Sequence, residues 1–291
     1  MYEAFFGLRE PAFSLTPDPR FLWRSETHQE GLSTLIYGIT RRKGFILLTG
    51  AVGAGKTTLL RAALDELRED LPDPQATAMV MHTGQLSGLD LLKLIAVEFG
   101  VLPARGAGAP LSAADYTIEL TEFLVERWRR GRTAVLIIDE AQNLGLEALE
   151  TVRMLSNFES DAEKLLQIVL TGQPELRDKL AERELRQLRQ RIALAHHVDP
   201  LAPHEVGSYL RHRVEVAGGR FGEIFAAGAD PIFAAVSGGC PRLINLLADR
   251  VLLSAYSRQL RPVPLALLEA KAKEVGELQL DRPVARSGGG A

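Results

Sequence analysis

The chain has 291 residues, of which 46% are hydrophobic and 24% are charged, with a formal net charge of −3 at pH 7. This composition excludes a disordered chain, because the apolar surface is large enough to offset the conformational entropy lost on folding. The slightly negative net charge does not favour nucleic acid as a partner of the whole molecule.

The cysteine content and the length of the apolar runs indicate where in the cell the protein is located. The single Cys240 excludes an internal disulfide framework and a cysteine-based zinc site. The longest apolar runs, such as residues 45–48, are far shorter than the ~20 residues that a membrane-spanning helix needs. The N-terminus lacks the basic and apolar regions of a signal peptide. The sequence therefore predicts a soluble cytoplasmic protein.

Strands and helices alternate in the predicted structure of the first 200 residues. In chain order, we predict a strand at 44–49, a helix at 56–71, a turn at 72–74, a strand at 78–82, a helix at 90–99, a loop at 102–110, a helix capped by Ser112 and ending at Arg130, a strand at 133–138, a helix at 146–158, a strand at 165–170, helical sequence at 174–190 and a strand at 192–198. Apolar strands bounded by helices are typical of a parallel sheet that is covered on both faces.

Beyond residue 200 the pattern changes, because no strand-like run remains. Helices are predicted at 205–216, 231–236, 241–256 and 264–274, and the last residues are rich in glycine. We therefore predict an α/β domain over residues 1–200, an all-helical domain over 201–278 and a flexible tail over 279–291.

A phosphate-binding pattern, G-x-x-x-x-G-K-[ST], lies between the first strand and the helix that follows it. Its glycines let backbone N–H groups wrap around phosphates, and the helix N-terminus adds a favourable dipole. In such a loop Lys56 reaches the β- and γ-phosphates, and the Thr57 hydroxyl ligates Mg²⁺. The predicted nucleotide-binding residues are Gly50, Ala51, Val52, Gly53, Ala54, Gly55, Lys56, Thr57 and Thr58.

The apolar strand at 133–138 ends in two acids, Asp139 and Glu140. They lie at the carboxyl edge of the predicted sheet, where open α/β sheets bind their ligands. We predict that Asp139 holds Mg²⁺ and that Glu140 polarises the water that attacks the γ-phosphate of ATP. A pair of acids about 80 residues after a phosphate loop favours an ATPase over a nucleotide kinase. The predicted cofactors are ATP and Mg²⁺.

A third strand, at 165–170, leads into polar residues at the same edge. Thr171 is predicted to position the attacking water, with Gln173 as the alternative. Turn formation also places Thr and Gly at strand ends, so this assignment has a structural alternative.

Arginines are the remaining candidates for contact with a triphosphate. Arg183, Arg186, Arg189 and Arg191 precede the last strand, where a ring-forming ATPase places an arginine on the γ-phosphate held by its neighbour. A solvated helix face is the alternative. We predict Arg191 for this role and Arg189 next. Arg242 lies in the first turn of a helix, where the dipole disfavours a cation unless it has an anionic partner, and a triphosphate would be one.

These motifs, in this order, resemble the AAA+ ATPases. More narrowly, the sequence resembles the ExeA/GspA-type ATPases of general secretion, which have relatives in MSHA-type pilus and exopolysaccharide loci. The stretches that carry this resemblance are FFGLREPAF at 5–13, PDPRFL at 17–22, YGI at 37–39, DEAQ at 139–142, TGQPEL at 171–176 and GCPRLIN at 239–245.

The resemblance implies a P-loop fold with a five-stranded parallel sheet of order 5-1-4-3-2 and a helical lid. It makes Arg191 the arginine finger and Arg242 the sensor-2 arginine. It also implies an ATPase that forms a homo-oligomer around nucleotide, as a hexameric ring or a filament, and drives assembly of a secretion, pilus or polysaccharide-export machine of the envelope. The expected location is cytoplasmic, including the inner-membrane periphery.

The larger secretion members continue into a membrane-spanning helix and a periplasmic peptidoglycan-binding domain. This sequence stops after a glycine-rich stretch, so we expect a cytosolic relative or a shortened chain.

Two other functions compete with a secretion ATPase. A DNA-binding AAA+ regulator of transposition or replication initiation has the same motifs, but the net charge and the secretion-type N-terminal stretch argue against it. A nucleotide switch with negligible turnover is disfavoured by Glu140.

Three other features are interpreted as structural. His196 and His197 lack nearby carboxylates or thiolates, so we predict a structural pair rather than a metal site. Cys240 is given no catalytic role. Residues 127–132 mix Trp128 with arginines, as nucleic-acid sites do. Cations also stabilise a helix C-terminus, and we favour that interpretation.

Overall fold

The computed structural model describes residues 1–70, 76–81, 84, 86–101, 111–159 and 163–280. Its contacts divide the chain into two compact units. The sheet unit comprises residues 26–52 and 56–199, and the helical unit comprises residues 1–25, 53–55 and the chain from Pro200 onward.

Five parallel strands form the sheet, in the order β2-β3-β4-β1-β5. They are β1 (Phe45–Gly50), β2 (Ala76–Val80), β3 (Ala134–Ile138), β4 (Leu166–Gly172) and β5 (Ile192–Val198). The order 5-1-4-3-2 is thereby confirmed. Every residue of β1, β3 and β4 is buried, as their apolar runs predict. The edge strand β5 is covered less, and Ala193 and Ala195 are exposed.

The α-helices of the described residues are α1 (Glu3–Phe6), α2 (Glu26–Thr40), α3 (Lys56–Asp70), α4 (Gly88–Glu98), α5 (Ala113–Arg129), α6 (Leu146–Leu155), α7 (Glu175–Ala181), α8 (Arg186–Arg189), α9 (Pro203–Val216), α10 (Phe221–Ile224), α11 (Ala229–Ser237), α12 (Pro241–Ser257) and α13 (Leu265–Leu280). The helical sequence predicted at 174–190 is divided into α7 and α8, with a 3₁₀ turn at Arg183–Leu185 between them. Ser112 caps α5 as predicted and forms a capping box with Asp115.

Helix α2 has no counterpart among the predicted elements. Two glycines interrupt its helical pattern, because glycine disfavours helix interiors. Both glycines are needed where α2 packs against strands β1 and β5. A Cβ at Gly38 would lie 2.4 Å from Cδ1 of Ile46, and one at Gly31 would lie 2.8 Å from Cδ2 of His196.

The N-terminal segment packs within the helical unit. Its aromatic residues are buried in the same core as α9, α11 and α12, and they include Tyr2, Phe6, Phe13 and Phe21. Arg213 of α9, which is 7% exposed, donates from Nε to the carbonyl oxygen of Ala12 at 2.6 Å. Its guanidinium carbon also lies 4.7 Å from the ring centroid of Phe21. Residues 1–25 therefore group with the helical unit, whereas the sequence analysis placed them with the α/β domain.

Several predicted features lie outside the described residues: the turn at 72–74, the loop at 102–110, His82 at the end of the second predicted strand, and the tail from residue 281. Helix α13 includes residues 279 and 280, which were assigned to that tail. Among the described residues, no helix combines the length and the apolar character needed to cross a membrane.

Candidate functional site

The phosphate-binding loop joins the carboxyl end of β1 to the first turn of α3. Gly53 and Gly55 have φ angles of +81° and +100°, which side chains other than glycine rarely adopt. Gly50 lies so close to β5 that a Cβ would be 2.7 Å from the carbonyl oxygen of Val198. The positive φ angles and the close approach to β5 therefore require glycine at these three positions.

Lys56 is the first residue of α3 and is only 6% exposed. Its Nζ donates hydrogen bonds to the carbonyl oxygens of Gly50 at 2.7 Å and Ala51 at 3.1 Å. These bonds hold the ammonium against the loop, at the carboxyl edge of the sheet. A cation placed there attracts phosphate oxygens.

The carboxylate of Asp139 connects the end of β3 with helix α3 and with the end of β4. Asp139 follows β3 and is 7% exposed. Its Oδ2 accepts a hydrogen bond from Thr57 Oγ1 at 3.4 Å, and its Oδ1 accepts one from the hydroxyl of Thr171 at the end of β4. The backbone N–H of Glu140 also donates to Oδ1, at 2.9 Å. The structure thus brings Thr57, Asp139 and Thr171 together.

This donor set fits a magnesium ion. Mg²⁺ prefers oxygen ligands and keeps several waters while it binds one or two protein groups and the phosphates of its nucleotide. Thr57 and Asp139 supply a hydroxyl and a carboxylate at hydrogen-bonding distance from each other. The chemistry of these residues therefore agrees with the expected metal.

Glu140 has an unusual backbone conformation, and two hydrogen bonds hold its side chain in place. Its φ of +51° is uncommon for a residue other than glycine and costs on the order of 1–3 kcal/mol, a type of strain that is concentrated at functional sites. Its Oε2 accepts hydrogen bonds from Gln142 Nε2 at 2.5 Å and from Gln173 Nε2 at 3.2 Å. The carboxylate therefore has a defined position at the carboxyl edge of the sheet.

Gln142 and Lys179 are site residues that the sequence analysis missed. Gln142 Oε1 accepts from the backbone N–H of Gln173 at 3.2 Å, which connects the ends of β3 and β4. Lys179 Nζ donates to the carbonyl oxygens of Gln142 at 2.9 Å and Leu144 at 2.5 Å, which fixes the turn after Glu140. Gln142 lies within the 139–142 stretch that carries the family resemblance, and that was the available signal.

Arg191 lies at the opposite edge of the sheet unit. It precedes β5, whose first residue pairs with Phe45 at the start of β1, whereas the phosphate loop follows the end of β1. A strand of six residues separates these edges by about 17 Å. The Arg191 guanidinium donates to Asn157 Oδ1 at 2.7 Å, to the carbonyl oxygen of Arg153 at 3.3 Å and to the Ser156 hydroxyl, at the C-terminal end of α6.

The other arginines of this cluster are more exposed. Arg183, Arg186 and Arg189 are exposed, and the hydrogen bond of Arg189 to the carbonyl oxygen of Ala181 is 3.5 Å long. Arg242 is exposed in the first turn of α12, within the helical unit. Its backbone N–H donates to the carbonyl oxygen of Gly53, a residue of the same unit, at 3.3 Å.

The two histidines have structural partners in the sheet unit. His196 Nε2 lies 2.9 Å from the carbonyl oxygen of Thr27 in α2. His197 Nδ1 lies 2.9 Å from Thr49 Oγ1 in β1. Within the part of the chain that the structure describes, no group of three or more His, Cys, Asp or Glu residues could hold a metal ion. His197 Nε2 also lies 3.8 Å from Asp199 Oδ1, so both histidines have partners within the sheet unit.

Comparison with known protein families and sequences gives two matches. A family model described as "AAA domain" matches residues 39–180, which include the phosphate loop, both acids and Thr171. General secretion pathway protein A of Aeromonas hydrophila is 43% identical over 258 residues, which are 89% of this chain and 45% of that protein. The chain thus spans less than half the length of this relative.

Solved structures with a similar fold include proteins of several functions. The ORC2 protein of Aeropyrum pernix, in ADPNP–ADP complexes, has a TM-score of 0.68 and 18% identity, covering 91% of this chain and 71% of that one. Cdc6p of Pyrobaculum aerophilum has a TM-score of 0.67 and 20% identity, covering 94% and 74%. The RuvB branch-migration motor of Thermotoga maritima has a TM-score of 0.54 and 18% identity, covering 88% and 69%.

Identities this low carry the fold alone, and the fold agrees with the sheet order described above. The narrower assignment rests on the sequence relative, whose similarity extends over most of this chain and well beyond the AAA domain match. The chain belongs to the ExeA/GspA-type AAA+ family.

Proposed function

We propose that this protein binds ATP with Mg²⁺ and hydrolyses it. The observation that carries this proposal is the set of hydrogen bonds that Thr57 and Thr171 donate to the carboxylate of Asp139. Helix α3 and the ends of β3 and β4 thereby deliver a hydroxyl, a carboxylate and a second hydroxyl to one edge of the sheet, next to a glycine-rich loop that is followed by a buried lysine.

Each residue has a separate task in this proposal. The loop residues 50–58 bind the phosphates through backbone N–H groups, and Lys56 neutralises charge on the β- and γ-phosphates. Thr57 and Asp139 hold Mg²⁺, which polarises the phosphate oxygens when it is bound. Glu140 orients and polarises the attacking water, and Thr171 holds Asp139 in place.

Completion of the site by a second subunit is the next part of the proposal. Arg191 lies at the sheet edge opposite the phosphate loop, so an arginine from this position reaches a γ-phosphate only in another copy of the chain. Arg242 is proposed as the second arginine that contacts the triphosphate, on the basis of the family resemblance. We therefore propose a nucleotide-dependent homo-oligomer, either a hexameric ring or a filament.

The cellular role follows from the sequence relative. General secretion pathway protein A is named for secretion, and this chain is 43% identical to a part of it. We propose that ATP turnover by this protein drives assembly of a secretion, pilus or polysaccharide-export machine from the cytoplasmic side of the envelope.

A phosphate-release assay with Mg²⁺ and ATP tests the enzymatic proposal. Glu140→Gln should bind ATP and hydrolyse it slowly, because the amide keeps the shape of the side chain and loses the charge. Glu182→Gln, at an exposed position after α7, is the matched control and should retain full turnover. Full turnover by Glu140→Gln would remove Glu140 from the proposed mechanism.

Lys56→Ala tests nucleotide binding separately from hydrolysis. The substitution removes the main point charge on the β- and γ-phosphates, so ATP affinity should be lost. Equilibrium binding of a fluorescent ATP analogue measures this directly. Tight binding by a folded Lys56→Ala protein would contradict the assignment of the loop.

A further inference from the structure

A basic cleft lies at the amino edge of the sheet unit, away from the phosphate loop. Its volume is about 1320 Å³, and its described lining comes from the end of α2 and the turn that follows, the end of α5 and the turn that follows, and residues 159, 163 and 164 before β4. The strands that follow these segments are neighbours in the sheet, so the segments converge at one edge. None of the tasks assigned above to the nucleotide site uses this cleft.

Positive charge dominates the lining. Among the described residues of the lining, the cations are Arg41, Arg42, Lys43, Arg129 and Lys164, and the acids are Glu159 and Glu163. Both acids are engaged in ion pairs, Glu163 with Arg42 and Glu159 with Lys164. The described residues place no carboxylate within ion-pair distance of the other three cations, Arg41, Lys43 and Arg129, and all three are exposed.

Two aromatic rings accompany these cations. Trp128 lines the cleft with 36% of its surface exposed, and its indole N–H donates to Glu163 Oε2 at 3.2 Å, which fixes the orientation of the ring. Tyr37 is 48% exposed, and its ring centroid lies 5.6 Å from Nζ of Lys43. Tyr37 is not among the residues that line the cleft, so Trp128 is the ring that the cleft offers for stacking.

The size, the charge and the exposed ring of the cleft together distinguish between possible anionic partners. The cleft is larger than the ~300–1,000 Å³ of pockets for small molecules, which favours a segment of a polymer. A membrane surface is flat, whereas this basic surface is concave. A peptide segment of Asp and Glu satisfies the cations but gives Trp128 no planar partner, whereas single-stranded nucleic acid offers both phosphates and exposed bases.

We infer that this cleft is a docking site for single-stranded nucleic acid, with Arg41, Lys43 and Arg129 on phosphates and Trp128 stacked on a base. The site is local, so it is compatible with the negative net charge of the whole chain. None of the cleft residues has a task in the proposed ATPase, so the two proposals are tested separately.

Binding is tested with a fluorescently labelled oligothymidylate of about 16 nucleotides, measured by anisotropy in a salt titration. The cleft variant is Arg41→Ala/Lys43→Ala/Arg129→Ala. We expect its affinity to fall at least tenfold and its salt slope to become shallower by about 2, at ~0.7 for each phosphate contact. A control variant with the same change in net charge is Lys93→Ala/Arg258→Ala/Lys273→Ala, at exposed positions elsewhere, and it should bind as the unmodified chain does.

Stacking is tested through tryptophan fluorescence. The chain has two tryptophans, so Trp23→Phe leaves Trp128 as the reporter. We expect the oligonucleotide to quench this fluorescence, and Trp128→Ala to weaken binding by about 10- to 100-fold while Trp128→Phe retains most of it. ATPase activity and thermal unfolding of each variant report whether the protein remains folded.

Three results would overturn the inference. They are equal binding by the cleft and control variants, equally tight binding of poly-glutamate, and equally tight binding of phosphatidylglycerol vesicles. A failure of ATP hydrolysis in the unmodified chain would contradict the proposed function and leave this binding measurement unaffected.

Discussion

Thr171 donates a hydrogen bond to the carboxylate of Asp139, a residue 32 positions earlier in the chain. Thr171 is 1% exposed, so water cannot replace this donor freely. The bond joins the ends of two neighbouring strands, β3 and β4. Thr171 therefore sets the position of the proposed magnesium ligand in addition to any contact with the attacking water.

We expect Thr171→Val to lower ATP turnover by about 10- to 100-fold, because a hydrogen bond to a charged group contributes ~1.5–3 kcal/mol. Valine has nearly the same shape, so ATP affinity in the absence of Mg²⁺ should change little. Steady-state kinetics and equilibrium binding separate the two effects. Thr171→Ser keeps the hydroxyl and should retain most of the turnover, and equal losses in both variants would contradict this role.

Gln142 and Gln173 are expected to position Glu140 jointly. Both amides donate to the same oxygen of its carboxylate, so either one can hold the side chain when the other is removed. We expect Gln142→Ala and Gln173→Ala each to lower kcat several-fold with little effect on KM. The double variant should lose more than the product of the single losses, since groups that share a partner are not independent.

The control for this pair is Gln29→Ala, at an exposed position in α2, which should leave kcat unchanged. Purely multiplicative effects of the two substitutions would show that the glutamines act independently of each other. Unchanged kcat in the double variant would remove both from the positioning of Glu140.

Arg191 is expected to have two effects that can be measured separately. Arg191→Ala should lower ATP turnover by a factor on the order of 10³, the lower end for arginine fingers. It should also reduce the free energy of unfolding by about 1 kcal/mol, because the end of α6 loses the hydrogen bonds of the guanidinium. Arg189→Ala removes an exposed side chain and should change stability by about 0.5 kcal/mol or less.

Mixing experiments distinguish a contribution between subunits from a loss of stability. Arg191→Ala and Glu140→Gln subunits should each turn over ATP slowly alone and faster together, because mixed oligomers contain interfaces with an intact Glu140 and an intact Arg191. Turnover per subunit should also rise with protein concentration. Turnover that is independent of concentration, with no recovery on mixing, would contradict the assignment of Arg191 and make Arg189 the next candidate.

The stability of the helical unit is expected to depend on pH through His212. Burial, and after it the charge of Arg213, lowers the pKa of His212 from its ordinary value of 6.5. Its Nε2 has no hydrogen-bond partner among the described residues, and its ring centroid lies 5.6 Å from that of Trp23. A histidine with a lowered pKa in the folded state stabilises the fold above pH 6.5, and this contribution is lost as the pH falls from there through the folded-state value.

Denaturant unfolding at pH 7.5 and at pH 5.5 measures this effect. His212→Phe should lose less stability between these pH values than the unmodified chain does. His204→Gln, at an exposed position in the first turn of α9, should behave as the unmodified chain. An identical pH dependence in all three proteins would rule out His212 as its source.

Much of the sheet unit could be predicted from local sequence. The apolar runs of β1, β3 and β4 are fully buried, and the Ser112 cap is formed as its pattern indicates. The glycine-rich loop and the acids after β3 were recognisable because their spacing reflects backbone geometry. The order of the strands could not be predicted from periodicity. It was expected from the family resemblance.

The remaining features depend on contacts between distant residues. Helix α2 was missed because Gly31 and Gly38 are there to permit close packing, which a local pattern cannot indicate. Lys179 could not be found either, because its partners are carbonyl oxygens about 35 residues earlier. The hydrogen bonds of Arg191 to the end of α6 are of the same kind.

The helical unit is discontinuous in sequence, with the sheet unit inserted between residues 25 and 200. During synthesis, Phe6, Phe13 and Phe21 leave the ribosome before the helices that cover them, and roughly 200 residues must be added before α9 is complete. The sheet unit can complete its own core in this interval. A C-terminal fragment beginning at Pro200 would lack these aromatic side chains, so the helices alone are a poor choice for separate expression.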